Sequence, residues 1–376
     1  MKNYKNNTIL ISASYAPSLI NFRRHLILKL IDLKYNIVVL APGIDDQIRL
    51  KLENIGCTVI DIELKRNKIS IISDLIYMYQ MYVILKSYKP LLLLSYTAKP
   101  NVLGAFSAKL ANIRSISIIS GLGINFTRDR DTISSRVFKF LFRISLSMNS
   151  FIIYQNQDDL NELLRNGFIK SLNKVGLVNG SGVDIRYFDV RPLPKNTNFL
   201  MVARFLKSKG VLEYLEAAKA IKLKKKHVTF TLIGADDHSS DSIDREYIKK
   251  NYAQYVTILD EVEDIRPIIE SSSVIVLPSY REGTPRSVLE AMAMGRAIIT
   301  TDVPGCRETV IHKENGFLAK AKDLQSLIEA MTALCEDPEL IASMSQKSRK
   351  MVEEKFEVEF VSSQYIQHMM QYLTES

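Results

Sequence analysis

Leu277-Pro278-Ser279-Tyr280-Arg281-Glu282-Gly283-Thr284-Pro285-Arg286-Ser287-Val288-Leu289-Glu290-Ala291-Met292-Ala293-Met294-Gly295 reads as the end of a strand, a loop and a helix. The apolar run 274–277 stops at Pro278, which has no N–H to give to a sheet. Thr284 is the predicted N-cap, and Pro285 suits the first helical turn. Gly295 suits the helix end. A helix that opens just beyond a buried strand turns its free amides and its positive dipole end toward the strand's C-terminal edge, which favours an anion there. Glu282 then sits in the loop beside that edge, and Glu290 lies about a turn and a half inside the helix.

Outward from this segment the same alternation repeats. Strand candidates occur at 8–13, 37–41, 59–62, 91–95, 115–119 and 151–155, then at 199–203, 229–233, 257–259, 274–277 and 297–301. Most are unbroken apolar runs, as in strands covered on both faces. Helix-length stretches such as 22–33 and 75–87 separate them. Two consecutive βαβ series predict an α/β protein with two Rossmann-like, parallel-sheet domains. Gly180-Ser181-Gly182 and the polar stretch 191–196 mark the join, giving domains at 1–185 and 186–376. The final helix is a candidate to pack back on the first. Sites in such architectures lie beyond the C-terminal strand ends, here in the cleft between the domains.

The length of 376 residues calls for two cores, and a composition 47% hydrophobic and 24% charged argues against a disordered chain. Cys57, Cys306 and Cys335 are far apart and have no metal-ligand spacing, which fits a reducing cytosol. The N-terminus does not read as a signal peptide, because Ser12, Ser14 and Pro17 break its apolar run. The run 91–94 is far too short to span a bilayer. Residues 1–190 carry 25 Lys/Arg against 14 Asp/Glu, a net of +11, whereas the remainder nets −2. That asymmetry suits an anionic partner as well as it suits a plain solvated surface.

Two carboxylates beside an anion site suit a ligand with both hydroxyls and a diphosphate, such as a sugar nucleotide. A carboxylate accepts hydrogen bonds from adjacent hydroxyls. Phosphates need cations and amides, and Arg204 and Lys209 supply the cations: Arg204 closes the strand 199–203, and Lys209 precedes Gly210 at the next helix. Their charge would stabilise a departing diphosphate. Taken singly, each of these four residues also reads as a solvated charge. Their combination in one strand–loop–helix setting carries the argument.

The segment 277–295 resembles the donor site of glycosyltransferase family 4, which has the GT-B fold and two glutamates seven residues apart. Val202-Ala203-Arg204 with Lys209-Gly210 resembles its diphosphate-binding motif, and Asp302-Val303-Pro304-Gly305-Cys306-Arg307-Glu308 resembles the segment that follows. Ser18-Leu19-Ile20-Asn21-Phe22-Arg23, Lys99-Pro100-Asn101 and Ser120-Gly121-Leu122-Gly123 resemble a bacterial subgroup that builds capsule, O-antigen and lipid-linked glycans. This resemblance implies a retaining transferase that moves a hexose or N-acetylhexosamine from a UDP-sugar to an undecaprenyl-diphosphate-linked acceptor. It would work in the cytoplasm, at the inner face of the membrane. It implies that Arg204 and Lys209 bind the diphosphate, that Glu282 meets the sugar with help from Gly283, Thr284 and Pro285, that Glu290 holds the ribose, and that Val262 meets the uracil through its backbone. Ser18, Asn21, Arg23, Ser120 and Gly121 would face the cleft on the acceptor side. Catalysis would fall to Glu282, Arg204 and Lys209 through charge and positioning, without an enzymic nucleophile and with the donor phosphate oxygen taking the acceptor proton, and with no metal and no cofactor besides the sugar nucleotide.

The chain departs from the family in its first loop, where Ser14-Tyr15-Ala16-Pro17-Ser18 stands in place of paired glycines, and in its histidines. His25 is the sole histidine before residue 190, and it reads as structural. Asp129-Arg130-Asp131 spells a metal motif of another transferase fold, but arginines alternate with its acids and the strand context is missing. Lys222-Leu223-Lys224-Lys225-Lys226 reads as a solvated helix end. Arg136, Lys139 and Arg143 recur at helical spacing among Val137, Phe138, Phe140, Leu141 and Phe142. That pattern fits a helix lying on an anionic membrane or a packed helix with one cationic edge. A sugar-nucleotide epimerase of the same fold, or a non-catalytic basic binding protein, are the competing readings; no nucleic-acid module is visible.

Overall fold

The computed structural model describes residues 7–65, 70–123, 126, 132–237 and 239–374. The chain forms two compact units. One comprises the chain up to Ser181 together with Glu359–Ser376, and the other is Gly182–Val358. The chain therefore crosses between units twice, and the first crossing lies four residues before the boundary read from the sequence. Gly180 and Gly182 flank it with φ of 66° and 71°.

The first unit holds strands β1 (Thr8–Ser12), β2 (Asn36–Ala41), β3 (Thr58–Asp61), β4 (Leu92–Tyr96), β5 (Ser115–Ile119), β6 (Phe151–Tyr154) and β7 (Val175–Leu177). They form one sheet in the order β3-β2-β1-β4-β5-β6-β7, with every pairing parallel. Its helices are α1 (Pro17–Asp32), α2 (Asp46–Asn54), α3 (Ile71–Tyr88), α4 (Ala98–Ala111), α5 (Ile133–Met148) and α6 (Gln157–Arg165). The period-two alternation of strand side chains divides the core. Ile9, Ile11 and Val39 face α1, and Leu10, Val38 and Leu40 face α3, α4 and α5.

The second unit repeats the plan with β8 (Asn198–Val202), β9 (Thr229–Ile233), β10 (Thr257–Leu259), β11 (Val274–Leu277), β12 (Ala297–Thr301) and β13 (Gly316–Ala319). Their order is β10-β9-β8-β11-β12-β13, again parallel throughout. The helices are α7 (Val211–Lys224), α8 (Arg245–Tyr252), α9 (Arg266–Glu270), α10 (Arg286–Ala293), α11 (Leu324–Glu336) and α12 (Pro338–Lys355). In both sheets the strand order reverses beside the first strand, between β1 and β4 and between β8 and β11. Loops on the two sides of such a switch point diverge and leave a crevice beyond the strand ends.

The last helix, α13 (Val358–Thr374), belongs to the first unit. Val361, Tyr365 and Met369 enter the core on the α1 side of the sheet. Lys29 of α1 donates to Glu359 at 2.7 Å, and His25 lies 3.5 Å from the same carboxylate. Tyr365 Oη donates to the Gly180 carbonyl at 2.9 Å and receives the Gln155 amide at 2.7 Å.

Three local expectations are corrected. α1 begins at Pro17, five residues before 22, because the proline occupies the first turn, where its missing N–H costs nothing. α3 begins at Ile71 rather than 75. β7 and β13 have no counterpart among the sequence-based strands: one is three residues long, and both carry glycine.

Candidate functional site

The site is built on the switch point of the second sheet. β8 ends at Val202 and the chain leaves through Arg204 into a 3₁₀ turn, Lys207–Lys209, closed by Gly210. Gly210 has a φ of +73°, and a Cβ there would lie 2.2 Å from the Pro278 carbonyl oxygen. Only glycine permits both the left-handed backbone and that approach. The Lys209 turn and the strand-end loop after β11 therefore press together, and Tyr280 N–H donates to the Ser208 carbonyl at 2.9 Å.

This closeness brings Lys209 and Glu282 into contact. The Lys209 ammonium lies 2.5 Å from Glu282 Oε1, and the Ser279 hydroxyl donates to the same oxygen at 2.7 Å. The Glu282 loop is held from behind by the segment 302–308. Glu282 N–H donates to the Pro304 carbonyl at 3.1 Å. Gly305, with φ +79°, allows that packing, because a Cβ there would lie 2.3 Å and 2.4 Å from the carbonyl oxygens of Gly283 and Glu282. Cys306 is buried behind the loop. Burial, and next the Glu282 carboxylate, push its thiol up to about 12, so it is an inert packing group.

Arg204 is half exposed and pairs with Asp237, on the loop after β9. Burial opposes the charge of Asp237, but hydrogen bonds from Ser239 and the Arg204 guanidinium outweigh it and hold the carboxyl below its ordinary range. Val262 lies beyond the end of β10 and is exposed.

α10 starts at Arg286, and Pro285 is its N-cap, without a side-chain cap bond. The expectation of Thr284 as N-cap is thus corrected by one position: Pro285 takes extended backbone angles and so lies just outside the helix. Gly283 and Thr284 form the loop before it. Ser287 Oγ donates to the Val202 carbonyl at 3.2 Å, tying the helix start to the end of β8. Glu290 lies one turn in and accepts from Arg286 Nε at 2.9 Å. Arg286 also donates to the Gly182 carbonyl at 2.7 Å. Burial pushes the Glu290 carboxyl upward, and Arg286 works against that shift.

The structure thus gathers Arg204, Lys209, Glu282, Gly283, Thr284, Pro285 and Glu290 around the β8 and β11 strand ends. Ser279, Asp237 and Arg286 join them and were not anticipated. Arg286 and Glu290 could have been paired from their four-residue spacing on a helix. Ser279 and Asp237 become partners only through the fold.

In the first unit the acceptor-side candidates separate. Asn21 is exposed at the start of α1. Ser120 and Gly121 follow β5 and line a small pocket with Thr97, Asn101, Phe138 and Phe142. Arg23 is corrected: it is buried under the Tyr96 ring, 4.2 Å from the ring centre, and donates to the Ser18 carbonyl at 2.9 Å. The helical period explains this, because Arg23 falls on the face of α1 that also carries Leu19, Leu26, Ile27 and Leu30. Ser18 is buried as well, its hydroxyl on the Tyr15 carbonyl at 2.6 Å. Asp129, Arg130 and Asp131 lie outside the described residues. Among the described residues, no cluster of three His, Cys, Asp or Glu side chains could hold a metal, and no helix is long and apolar enough to cross a membrane.

Residues 196–337, which contain Arg204, Lys209, Asp237, Val262, Glu282 and Glu290, match the family described as glycosyl transferases group 1. A Campylobacter jejuni protein, N,N'-diacetylbacillosaminyl-diphospho-undecaprenol alpha-1,3-N-acetylgalactosaminyltransferase, is 30% identical over 88% of this chain and 90% of its own. The chain therefore belongs to the glycosyl transferases group 1 family and is a glycosyltransferase. An Escherichia coli relative, UDP-Gal:alpha-D-GlcNAc-diphosphoundecaprenol alpha-1,3-galactosyltransferase, is 24% identical over 77% of this chain and 78% of its own. HepE from Anabaena, solved in complex with UDP, has a TM-score of 0.76 at 18% identity and covers 97% of this chain and 100% of its own. That likeness identifies the fold as GT-B, with its two Rossmann-like units.

Proposed function

We propose that the chain transfers a hexose or N-acetylhexosamine from a UDP-sugar to an undecaprenyl-diphosphate-linked glycan, with retention of anomeric configuration, during cell-surface polysaccharide synthesis. The observation that carries the reading is the Lys209–Glu282 contact at the second sheet's switch point. A cation for phosphate and a carboxylate for sugar hydroxyls meet there, which is where the bond between diphosphate and sugar would lie. The named acceptors of the two relatives and the UDP-sugar named for one of them support the substrate classes.

In this reading Arg204 and Lys209 take the diphosphate, exchanging Asp237 and Glu282 for phosphate oxygens. Glu282, with backbone groups at Gly283 and Thr284, fixes the sugar. Glu290, held by Arg286, accepts the ribose hydroxyls, and Val262 meets the base. The bond between the anomeric carbon and the UDP oxygen breaks as positive charge grows on the sugar. The acceptor oxygen bonds the same face, and its proton passes to the departing phosphate oxygen. Lys209, Arg204 and the start of α10 stabilise the charge left on UDP. Turnover is expected to persist in EDTA; a loss restored by Mg²⁺ would contradict that part of the account. The enzyme would work on the cytoplasmic side, where UDP-sugars are made, in peripheral contact with the membrane that holds its acceptor.

A thermal-shift screen of sugar nucleotides tests the donor class. A UDP-sugar at about 100 times its dissociation constant adds roughly 2.7 kcal/mol of stability. A shift with GDP-sugars and none with UDP-sugars would overturn it.

A further inference from the structure

α3 is apolar on both sides. Tyr77, Met81 and Leu85 are buried against the first unit's sheet. On the opposite side Ile71 and Ile72 are each 74% exposed and Tyr79 is 69% exposed, with Leu75, Ile76 and Val83 beside them. These positions recur every three or four residues, so they form one stripe along the helix. α4 packs between α3 and α5, and all three helices cover the same face of the sheet. On α5, Phe142 and Leu146 are buried while Ile133, Val137 and Phe140 are exposed. Two parallel apolar stripes thus lie on one outer surface.

The charge on that surface is one-sided. α3, α4 and α5 carry Lys86, Lys99, Lys109, Arg136, Lys139 and Arg143 against a single carboxylate, Asp74. Asp74 is already engaged by Lys99 at 2.6 Å.

We propose that the exposed faces of α3 and α5 dock the first unit onto an anionic lipid leaflet. Apolar side chains at helical spacing, rimmed by long cations, fit the boundary between acyl chains and head groups. The lysine and arginine stems can lie along the apolar layer while their charges reach lipid phosphates. A second copy of this chain suits the surface poorly, because a two-fold contact would set the same cationic helices against themselves. The proposal deepens the reading of a lipid-linked acceptor and rests on that reading for its purpose, but not for its chemistry.

The test is sedimentation of the full chain with vesicles of phosphatidylglycerol and phosphatidylethanolamine, and with pure phosphatidylcholine vesicles. Two variants are compared, Leu75→Glu with Tyr79→Glu, and Arg143→Glu alone. Binding is expected to favour the phosphatidylglycerol vesicles and to fall about tenfold in either variant, with an unchanged melting temperature. Turnover on a short-chain, water-soluble acceptor should stay at the wild-type level in both. Sedimentation requires no turnover, so it is judged separately from the transfer reaction. Equal binding to both lipids, binding indifferent to the variants, or a wild-type dimer that the double variant makes monomeric would each overturn the proposal.

Discussion

Lys209 Nζ lies 2.5 Å from Glu282 Oε1, although 73 residues separate them in the chain. Two glycine-dependent contacts make that distance possible, Gly210 against Pro278 and Gly305 against the Glu282-Gly283 carbonyls. The pair keeps both charges compensated and aimed at one point beyond β8 and β11.

If Lys209 is a diphosphate countercharge, Lys209→Ala should lower kcat by about 10²–10³ and weaken UDP binding by about tenfold, near 1.4 kcal/mol. A double-mutant cycle with Glu282→Gln should show coupling of about 0.5–3 kcal/mol. Steady-state kinetics and calorimetry measure both; additive effects with unchanged UDP affinity would remove Lys209 from the site.

Glu282 and Glu290 should fail differently as glutamines. The Glu290 carboxylate would hold a ribose that changes little during reaction, so its loss should mainly raise KM. Glu282 would stand beside developing positive charge, so Glu282→Gln should lower kcat and leave UDP binding nearly intact. Weakened UDP binding at unchanged kcat in Glu282→Gln would reverse the assignment.

Gly305→Ala should damage the site from behind. The new methyl would meet the Glu282 and Gly283 carbonyls, and the left-handed backbone disfavours alanine. A stability loss of about 1–3 kcal/mol should show in urea unfolding, together with a fall in kcat. A variant with wild-type kcat would mean that this contact does not position Glu282.

The alternating apolar runs made the fold legible. The bounds of β5, β9, β10, β11 and β12 agree with the sequence reading residue for residue, because each is a β-prone run that stops at a polar or turn residue. β7 and β13 were hidden by brevity and glycine. The residue types of the donor site were legible in one local segment and the resemblance it carries. Their partners were not: Asp237 meets Arg204 only because β9 lies next to β8, and Ser279 caps Glu282 only within a folded loop. Arg23 misled because a charged residue on an apolar helical face still follows the helix, here inward beneath Tyr96.

Asp237 supplies a pH dependence with a definite sign. Its folded-state carboxyl titrates below its ordinary value near 3.8, so its contribution to stability is present above that value and is lost as pH falls through the folded one. Asp237→Asn should therefore be less stable than wild type at pH 7, and the gap should shrink at the acid end. Urea midpoints from pH 7 to pH 3 check this; a gap that widens with acid would contradict the pairing with Arg204.

Transfer itself is the most direct measurement. The wild-type chain is incubated with labelled UDP-sugars and a shortened polyprenyl-diphosphate sugar, and the product is followed by chromatography and NMR. The account predicts label on the acceptor, release of UDP, and the donor's anomeric configuration preserved in the new linkage. Inverted product, or a new sugar nucleotide formed without any acceptor, would contradict it.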